Sequence, residues 1–270
     1  MTRPLVVAHR GSSAAHAEHT LRAYEKAIDE GVDALECDVR MTRDGVLVCV
    51  HDRRVDRTSD GRGVVSTLEL AELRELDFAS WKQRGHDPLL EASWEEADHE
   101  GSRVLTLERL LELVRDHERT VEMHIETKHP TRYGGLVEKA LVELLGRFGL
   151  AKPPSREEST VTVMSFASLS LRRIHLMAPT LPTVFLMDRV PVRYRDGSLP
   201  VRVEVAGPSL EILKAHPRYV ERVHDQGHRV HVWTVDDQAD VDYVLGLGVD
   251  AVITNQPRRV LRALGPVTGD

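Results

Sequence analysis

The stretch ALECDVRMTRDGVLVCVHD, residues 34–52, decides the fold. It contains two apolar runs, 34–40 and 46–51, separated by only a few residues around Asp44 and Gly45. A parallel crossover between strands needs about a dozen residues or more. The two runs are therefore predicted to pair antiparallel, as a hairpin with Asp44-Gly45 as its turn.

The same stretch groups side chains that carry chemistry. Glu36 and Asp38 are two residues apart on a strand, so both point to one face, and the returning arm brings His51 beside them. Cys37 points to the opposite face. Cys37 and Cys49 are too few for a disulfide scaffold, and both are interpreted as buried free thiols.

Outside the hairpin, β-rich runs alternate with amphipathic helical patterns, which is typical of a parallel sheet covered by helices. The strands are predicted at 5–9, 34–40, 46–51, 121–126, 161–165, 183–187, 201–205, 230–234 and 250–254. The helices are predicted at 20–30, 69–75, 106–116, 134–147, 167–177, 209–226, 237–246 and 257–264. Because the returning arm of the hairpin is surplus, eight strands remain to close an α/β fold, a (β/α)₈ TIM barrel with a β-hairpin extension of strand 2.

The chain of 270 residues is predicted to be a single domain, 1–270, because barrels of this class reach this length. Residues from about 52 to 118 break the alternation and include a polar, acidic stretch, 83–101. They are interpreted as a small insertion at the barrel mouth, too polar to be an independent domain. Insertions at that end of a barrel shape the substrate pocket.

The composition limits the partners. A formal net charge of −7 argues against a nucleic-acid partner, because phosphate neutralisation needs a basic face. No apolar run approaches the roughly 18 residues of a membrane span, and the N-terminus does not have the pattern of a secretory signal. We therefore expect a cytoplasmic protein with a small-molecule substrate and without stable membrane association. The sequence is compatible with a homo-oligomer but does not specify one.

Polar residues at the C-terminal ends of barrel strands are the first candidates for function. Glu36, Asp38 and Glu126 would converge at the mouth, where three desolvated carboxylates repel one another. A divalent cation that prefers oxygen ligands, Mg²⁺ or Ca²⁺, would relieve that repulsion. The alternative is that these acids are exposed or paired with arginine or lysine.

His9 and His51 flank the acids and suit general acid–base catalysis near neutral pH. They could instead bind a metal, although no H-E-x-x-H motif supports zinc. Arg10 and Lys128 add positive charge, as a phosphate site requires. The alternative for Arg10 is a surface ion pair, which would be the default interpretation for an arginine that does not directly follow a histidine at a strand end. Trp233 either contacts the substrate or caps the core. Three further polar residues fall at predicted strand ends: Ser165, Glu204 and Asn255.

These motifs, taken in order, resemble the glycerophosphodiester phosphodiesterase family of phospholipase-C-like barrels. The matching segments are H-R-G after the first strand, E-x-D and H-D across the D-G hairpin, E-x-K, and W-T-V followed by GVDAVITNQP. The resemblance covers essentially the whole chain, including DRTSDG, LTLERLLELV and SFASLSLRRI. The ordered set is specific, although no single motif of three residues is.

The resemblance implies metal-dependent hydrolysis of glycerophosphodiesters to glycerol 3-phosphate and an alcohol. It implies a cation on the three acids, proton transfer by the two histidines, and phosphate contacts from Arg10 and Lys128. Attack by the glycerol 2-hydroxyl, followed by opening of a cyclic phosphate by water, is one route. The chain departs from the family at Ala17-Glu18-His19-Thr20, where the family has P-E-N-T.

Three other functions are compatible with parts of the pattern. Lysophospholipase D activity would keep the site but requires an apolar groove at the mouth. A phosphodiester-binding barrel without catalysis would lack a ligand or a histidine, and none is missing here. A glycosidase with paired carboxylates would leave both histidines and both cations unexplained.

Overall fold

The structure is a computed structural model that describes residues 3–83, 101–131 and 134–265. The strands in these residues are β1 Leu5–His9, β2 Ala34–Met41, β3 Leu47–Cys49, β4 Glu122–Thr127, β5 Val161–Ser165, β6 Thr183–Met187, β7 Val205–Pro208, β8 Arg229–Val232 and β9 Ala251–Thr254. All except β3 are parallel to their neighbours, in the order β1-β9-β8-β7-β6-β5-β4-β2. Since β2 also pairs with β1, the sheet closes into an eight-stranded TIM barrel.

The returning arm of the predicted hairpin is β3, the strand that the sheet has in addition to the eight of the barrel. β3 pairs antiparallel with the outer part of β2, where Val39 faces Cys49 and Met41 faces Leu47. The turn places Gly45 at φ 86°, a conformation that glycine adopts without strain. Backbone pairing continues past β3, because the Val50 N–H donates to the Asp38 carbonyl at 3.0 Å.

Helices cover the barrel. Those in the described residues are α1 Leu21–Glu30, α2 Leu70–Arg74, α3 Leu107–Arg115, α4 Leu136–Arg147, α5 Ser168–Met177, α6 Leu210–Ala215, α7 Tyr219–Asp225, α8 Gln238–Leu247 and α9 Pro257–Leu264. Short 3₁₀ turns lie at Val65–Thr67, Ser80–Gln83 and Val192–Tyr194. The single helix predicted at 209–226 is divided into α6 and α7 on either side of Pro217, because proline cannot continue the hydrogen-bond ladder of the preceding helix.

The interior of the barrel is packed mainly with aliphatic side chains. Val7, Met164, Val184 and other inward residues form one cluster, while a larger apolar core lies between the strands and the helices. His124 and His231 are buried on opposite sides of the barrel, and their rings stack with centroids 5.3 Å apart. Cys37 and Cys49 are free and buried, as predicted.

The strand predicted at 201–205 is wrong. The chain turns there, with Arg202 at φ 68° and Val201 exposed, and the strand begins only at Val205. The true strand, VAGP, was missed because Gly and Pro do not favour strands. Gly207 is required there, since a Cβ at this position would lie 2.7 Å from Leu186 Cδ2.

This shift removes Glu204 from the candidate site. Glu204 precedes β7, at the end of the strand opposite the mouth, and forms an ion pair with Arg156. The predicted insertion at about 52–118 lies after the hairpin, and its acidic part falls on residues 84–100, outside the described residues. The division of the chain into a single domain with this insertion remains a prediction.

One charged side chain is fully buried between α4 and α5. Glu138 Oε1 lies 3.1 Å from Arg173 Nη1 and 3.4 Å from His129 Nε2. Burial alone would raise the pKa of Glu138, but the close contacts with His129, Arg173 and other donors lower it to about 2. The ionised carboxylate therefore stabilises the segment that follows β4.

Glu138→Gln is expected to lower the free energy of unfolding by about 2 to 3 kcal/mol at pH 7, because Arg173 and His129 lose the buried anion that they contact. Urea unfolding followed by circular dichroism measures this. In the wild-type protein the contribution is present above the unfolded pKa of about 4.5 and disappears as the pH falls towards 2. The control is Glu143→Gln on the same helix, an exposed partner of Lys139, which should change stability by less than about 0.5 kcal/mol. Equal effects of the two variants would contradict the assignment.

Candidate active site

The loop that follows β1 places Arg10 under backbone constraint. Arg10 adopts φ 58° and Gly11 φ 81°, and a Cβ on Gly11 would lie 2.6 Å from the backbone carbon of Ala23. Only glycine fits so close to α1. The Arg10 N–H lies 3.1 Å from Glu36 Oε2 and donates to it, so the turn is tied directly to the neighbouring strand.

Glu36, Asp38 and Glu126 come together at the mouth. Asp38 faces Glu126 across the β2–β4 ladder, and Glu36 faces His9 across the β1–β2 ladder. All three acids are buried, and each offers an oxygen within 4.8 Å of the others. Asp38 Oδ1 has no partner with good hydrogen-bond geometry, although Lys128 Nζ lies 3.1 Å from it. This arrangement of hard oxygen donors can hold a divalent cation.

Asp38 is the charge centre of the site. Its carboxylate lies 2.9 Å from Arg10 Nε, 2.9 Å from His19 Nε2 and 3.1 Å from Lys128 Nζ. Burial alone would raise the pKa of Asp38, but Lys128 and Arg10 hold it well below the usual range. Lys128 Nζ also lies 2.9 Å from Glu126 Oε1, so this lysine joins two strands.

The other two acids respond in the opposite direction. Burial, and then the charge of Asp38, raise the pKa of Glu126 to about 8. The same two causes raise the pKa of Glu36 well above its usual value. The three carboxylates therefore cannot all be ionised at neutral pH without additional positive charge, which a bound cation would provide.

His9 is oriented by an amide. Asn255 donates through Nδ2 to Asp236 at 2.6 Å, so the amide presents only its oxygen to His9. His9 Nδ1 lies 2.7 Å from that oxygen and must carry the proton that is donated. Burial, followed by the Arg10 charge, lowers the pKa of His9 to about 4. The ring is therefore neutral, with the lone pair on Nε2 on the side of Glu36.

His51 is oriented by a carboxylate instead. His51 Nδ1 lies 2.7 Å from Asp52 Oδ1, while Arg40 donates from Nε and Nη2 to the His51 carbonyl at 2.9 and 2.7 Å. Burial, together with the charges of Arg10 and Lys128, lowers the pKa of His51 below its ordinary value, while the carboxylates of Asp38 and Asp52 limit this fall. An anion at Nδ1 stabilises the imidazolium form, which an amide does far less well.

Aromatic side chains lie beside the charged groups. Phe166 follows β5 and is partly exposed, and its ring packs edge-on against Trp233 with centroids 5.4 Å apart. Lys128 Nζ lies 5.9 Å from the centre of the Phe166 ring. Trp233 is held by its indole N–H, which donates to the Gly207 carbonyl at 2.7 Å. The mouth thus has a charged side at β1–β4 and an apolar side at β5 and β8.

The structure brings all eight predicted site residues to the same end of the barrel. They are His9, Arg10, Glu36, Asp38, His51, Glu126, Lys128 and Trp233. Arg10 and Lys128 contact the acids as well as lining the mouth, so the predicted alternative of pairing with cations holds in part. Ser165 is buried and its hydroxyl donates to the Thr127 carbonyl at 3.0 Å, which is a structural role.

Several supporting residues were not assigned from the sequence. His19, which bonds Asp38 and lies 2.8 Å from the Tyr24 hydroxyl, attracted notice only as a departure from the family motif. Asp236 has no local pattern that links it to His9. Asp52 could have been recognised from its position next to His51, since a histidine that moves protons needs a partner at Nδ1.

A barrel whose mouth combines three acids, two oriented imidazoles and two cations is typical of a phosphodiester hydrolase. The sequence model of the glycerophosphoryl diester phosphodiesterase family matches residues 9–259. The chain therefore belongs to this family, and its reaction class is phosphoric diester hydrolysis.

Comparison with individual proteins indicates the same family. The chain is 49% identical over 259 residues to a Mycobacterium tuberculosis protein named "Probable glycerophosphodiester phosphodiesterase 1", with 95% of this chain and 90% of that protein covered. It is 34% identical to a glycerophosphodiester phosphodiesterase of Bacillus subtilis, with 94% and 84% covered. The fold is similar to that of an Oleispira antarctica phosphodiesterase solved with sn-glycerol-3-phosphate, with a TM-score of 0.82, 23% identity and 97% of each chain covered.

Binding of a divalent cation is expected to release protons at pH 7, because Glu126, with a pKa of about 8, must lose its proton to serve as a ligand. The release should decline as the pH rises above 8, and the apparent affinity should increase over the same interval. Calorimetric titration with Mg²⁺ or Ca²⁺ in two buffers of different ionisation enthalpy measures the number of protons. Glu126→Gln is the control and should release fewer protons than the wild-type protein, because the amide has none to lose and only Glu36 still has a raised pKa. Identical heats in both buffers at pH 7 would rule out the linkage.

Proposed function

We propose that the protein hydrolyses glycerophosphodiesters to glycerol 3-phosphate and an alcohol, with Mg²⁺ or Ca²⁺ held by Glu36, Asp38 and Glu126. The observation that supports this most strongly is the orientation of two imidazoles by unlike partners on either side of the acid cluster. Asn255 favours a neutral His9, and the negative charge of Asp52 makes His51 the easier of the two imidazoles to protonate. The neutral ring of His9 is thus suited to accept a proton, and His51, once protonated, is suited to deliver one to the leaving group.

In the first step, His9 Nε2 takes the proton of the glycerol 2-hydroxyl as its oxygen attacks phosphorus. His51 Nε2 gives its proton to the oxygen of the departing alcohol as the bond from that oxygen to phosphorus breaks. In the second step the roles reverse: His51 takes a proton from an attacking water, and His9 returns its proton to the 2-oxygen. Each imidazole ends in its starting state, so the proton balance closes.

The charged side chains bind the phosphate. Arg10 and Lys128 provide fixed positive charge beside the acids, where phosphate oxygens are recognised by charge-assisted hydrogen bonds. The bound cation would screen the negative charge that develops on those oxygens. Trp233 and Phe166 offer an apolar surface to the carbon atoms of the glycerol or the alcohol.

Release of glycerol 3-phosphate from glycerophosphocholine should require Mg²⁺ or Ca²⁺ and should fall at least about 100-fold in EDTA, because the acids repel without a cation. A coupled assay for glycerol 3-phosphate measures it. Lysophosphatidylcholine is tested in parallel, and for both substrates the release of choline is also measured, because hydrolysis of the lipid gives choline and lysophosphatidic acid. Faster choline release from the lipid would replace the proposed substrate with the alternative one. A folded protein with no release from either substrate under any metal would refute the proposal.

His9→Ala and His51→Ala should each lower kcat by a factor of about 10² to 10⁴, the usual value for loss of a general acid or base. Metal affinity, followed by calorimetry, should change little, because neither ring belongs to the acid cluster. His117→Ala is the matched control, since His117 is exposed and contacts only the nearby Arg119. If metal affinity is lost together with activity, the histidines are ligands instead.

A further inference from the structure

Arg57 lies in the segment that follows His51 and connects two carboxylates with one guanidinium group. Its Nε donates to Asp52 Oδ2 at 2.7 Å. Its Nη1 and Nη2 donate to Glu18 Oε2 and Oε1 at 2.9 and 2.7 Å, which is a bidentate contact. The guanidinium also lies 5.9 Å from the centre of the Trp81 ring.

Each of these carboxylates has a second partner in the candidate site. Asp52 uses its other oxygen to contact His51 Nδ1 at 2.7 Å. Glu18 Oε1 accepts from Arg10 Nη1 at 3.1 Å. One continuous chain therefore runs from His51 through Asp52, Arg57 and Glu18 to Arg10. It joins the proton donor of the proposed reaction to one of the phosphate-binding cations.

We propose that Arg57 is a positioning residue that sets the orientations of His51 and Arg10 together, through Asp52 and Glu18. The inference rests on the proposed function, because it assigns Arg57 to the chemistry of that site. Arg57 itself acts through the two carboxylates and is not placed in contact with substrate.

The fold gives a reason for such a connection. Arg10 belongs to the turn after β1, which the barrel holds directly. His51 belongs to the returning arm of the hairpin, whose β3 strand pairs with β2 but with no other barrel strand. The Cys49 N–H also donates to the Leu105 carbonyl at 2.8 Å, and Arg40 of β2 holds the His51 carbonyl, but neither contact reaches the turn after β1. The contacts of Arg57 connect the returning arm to that turn. A displacement of about 1 Å can cost on the order of 100-fold in rate.

The ionisation of Glu18 and Asp52 also supports a positioning role for Arg57. Burial alone would raise the pKa of both Glu18 and Asp52, yet hydrogen bonds from Arg57 help to lower each to about 2. Both carboxylates therefore remain ionised at any pH at which the histidines act. A lysine could not replace Arg57, because one ammonium cannot present a planar fork to Glu18 and a third donor to Asp52.

The test compares Arg57→Gln and Arg57→Lys with Arg54→Gln, the matched control. Arg54 lies in the same segment and is exposed, and among the residues that the structure describes its side chain hydrogen-bonds to Asp56, at 3.0 and 3.1 Å. Arg57→Gln is expected to lower kcat and raise KM, with kcat/KM reduced on the order of 100-fold. Arg57→Lys should recover only a small part of this loss, whereas Arg54→Gln should match the wild-type protein. Thermal unfolding shows that each variant is folded.

The contributions of the two carboxylates that Arg57 contacts, Asp52 and Glu18, can be measured separately. Asp52→Asn removes the anion beside His51 and should lower kcat with little change in KM. Glu18→Gln weakens the tie to Arg10 and should act mainly on KM. In a triple variant that combines Arg57→Gln with Asp52→Asn and Glu18→Gln, kcat/KM should be little lower than in the variant with the two carboxylate changes alone. The reason is that the effect of Arg57 passes through these two carboxylates.

A readout that does not depend on turnover is the proton on His51 Nδ1, observed by NMR of protein with ¹⁵N-labelled histidine and assigned by its loss in His51→Gln. It should shift or broaden in Arg57→Gln and remain unchanged in Arg54→Gln. This separates the two hypotheses: an inactive wild-type protein refutes the proposed function, while the resonance still tests the connection. Unchanged kcat, KM and resonance in Arg57→Gln would overturn the inference, as would full recovery by Arg57→Lys, which would reduce the role of Arg57 to its charge.

Discussion

The arrangement of the site depends on keeping a buried carboxylate, Asp38, ionised at the end of the barrel. An isolated carboxylate in this position would be neutralised, because transfer from water costs several kcal/mol. Arg10, His19 and Lys128 surround it, and each comes from a different part of the chain. The positions of the turn after β1, of the start of α1 and of the end of β4 are therefore tied to one charge. The same charge raises the pKa of Glu126 and Glu36, which prepares the cluster for a cation.

The two imidazoles show how one fold can place the same side chain in two different electrostatic settings, as the proposed acid–base mechanism requires. His9 rests on the rigid barrel and contacts an amide whose orientation Asp236 fixes. His51 rests on the hairpin and contacts an anion. The difference lies in the partner of Nδ1, since both rings are partly shielded from solvent and both feel Asp38. The hairpin thus adds to the mouth of the barrel a second imidazole, with an anion rather than an amide as the partner of Nδ1.

The barrel, its hairpin and the convergence of the eight site residues follow from patterns that a sequence displays. Alternation of strands and helices sets the fold, the short Asp44-Gly45 connection forces antiparallel pairing, and i, i+2 spacing places Glu36 and Asp38 on one face. The strand Val205–Pro208 was not predicted, because close packing inside the barrel favours glycine at position 207, and glycine is not typical of strands. The roles of Asp236 and Arg57 were not predicted, because their partners are distant in sequence or on another element and no local sequence pattern indicates such contacts.

Backbone strain at the mouth is concentrated on residues that hold charge. Arg10 and His19 both adopt positive φ without being glycine, at 58° and 61°, and the His19 N–H donates to the Arg10 carbonyl at 3.2 Å. Such conformations cost about 1 to 3 kcal/mol each and persist where the surroundings enforce them. Here the enforcing contacts are the ion pair of Arg10 with Asp38 and the hydrogen bond of His19 to the same carboxylate. Because Glu18 lies within this closed loop and binds Arg57, the strained turn is also the anchor for the hairpin. The geometry that keeps Asp38 charged therefore extends to the imidazole of His51.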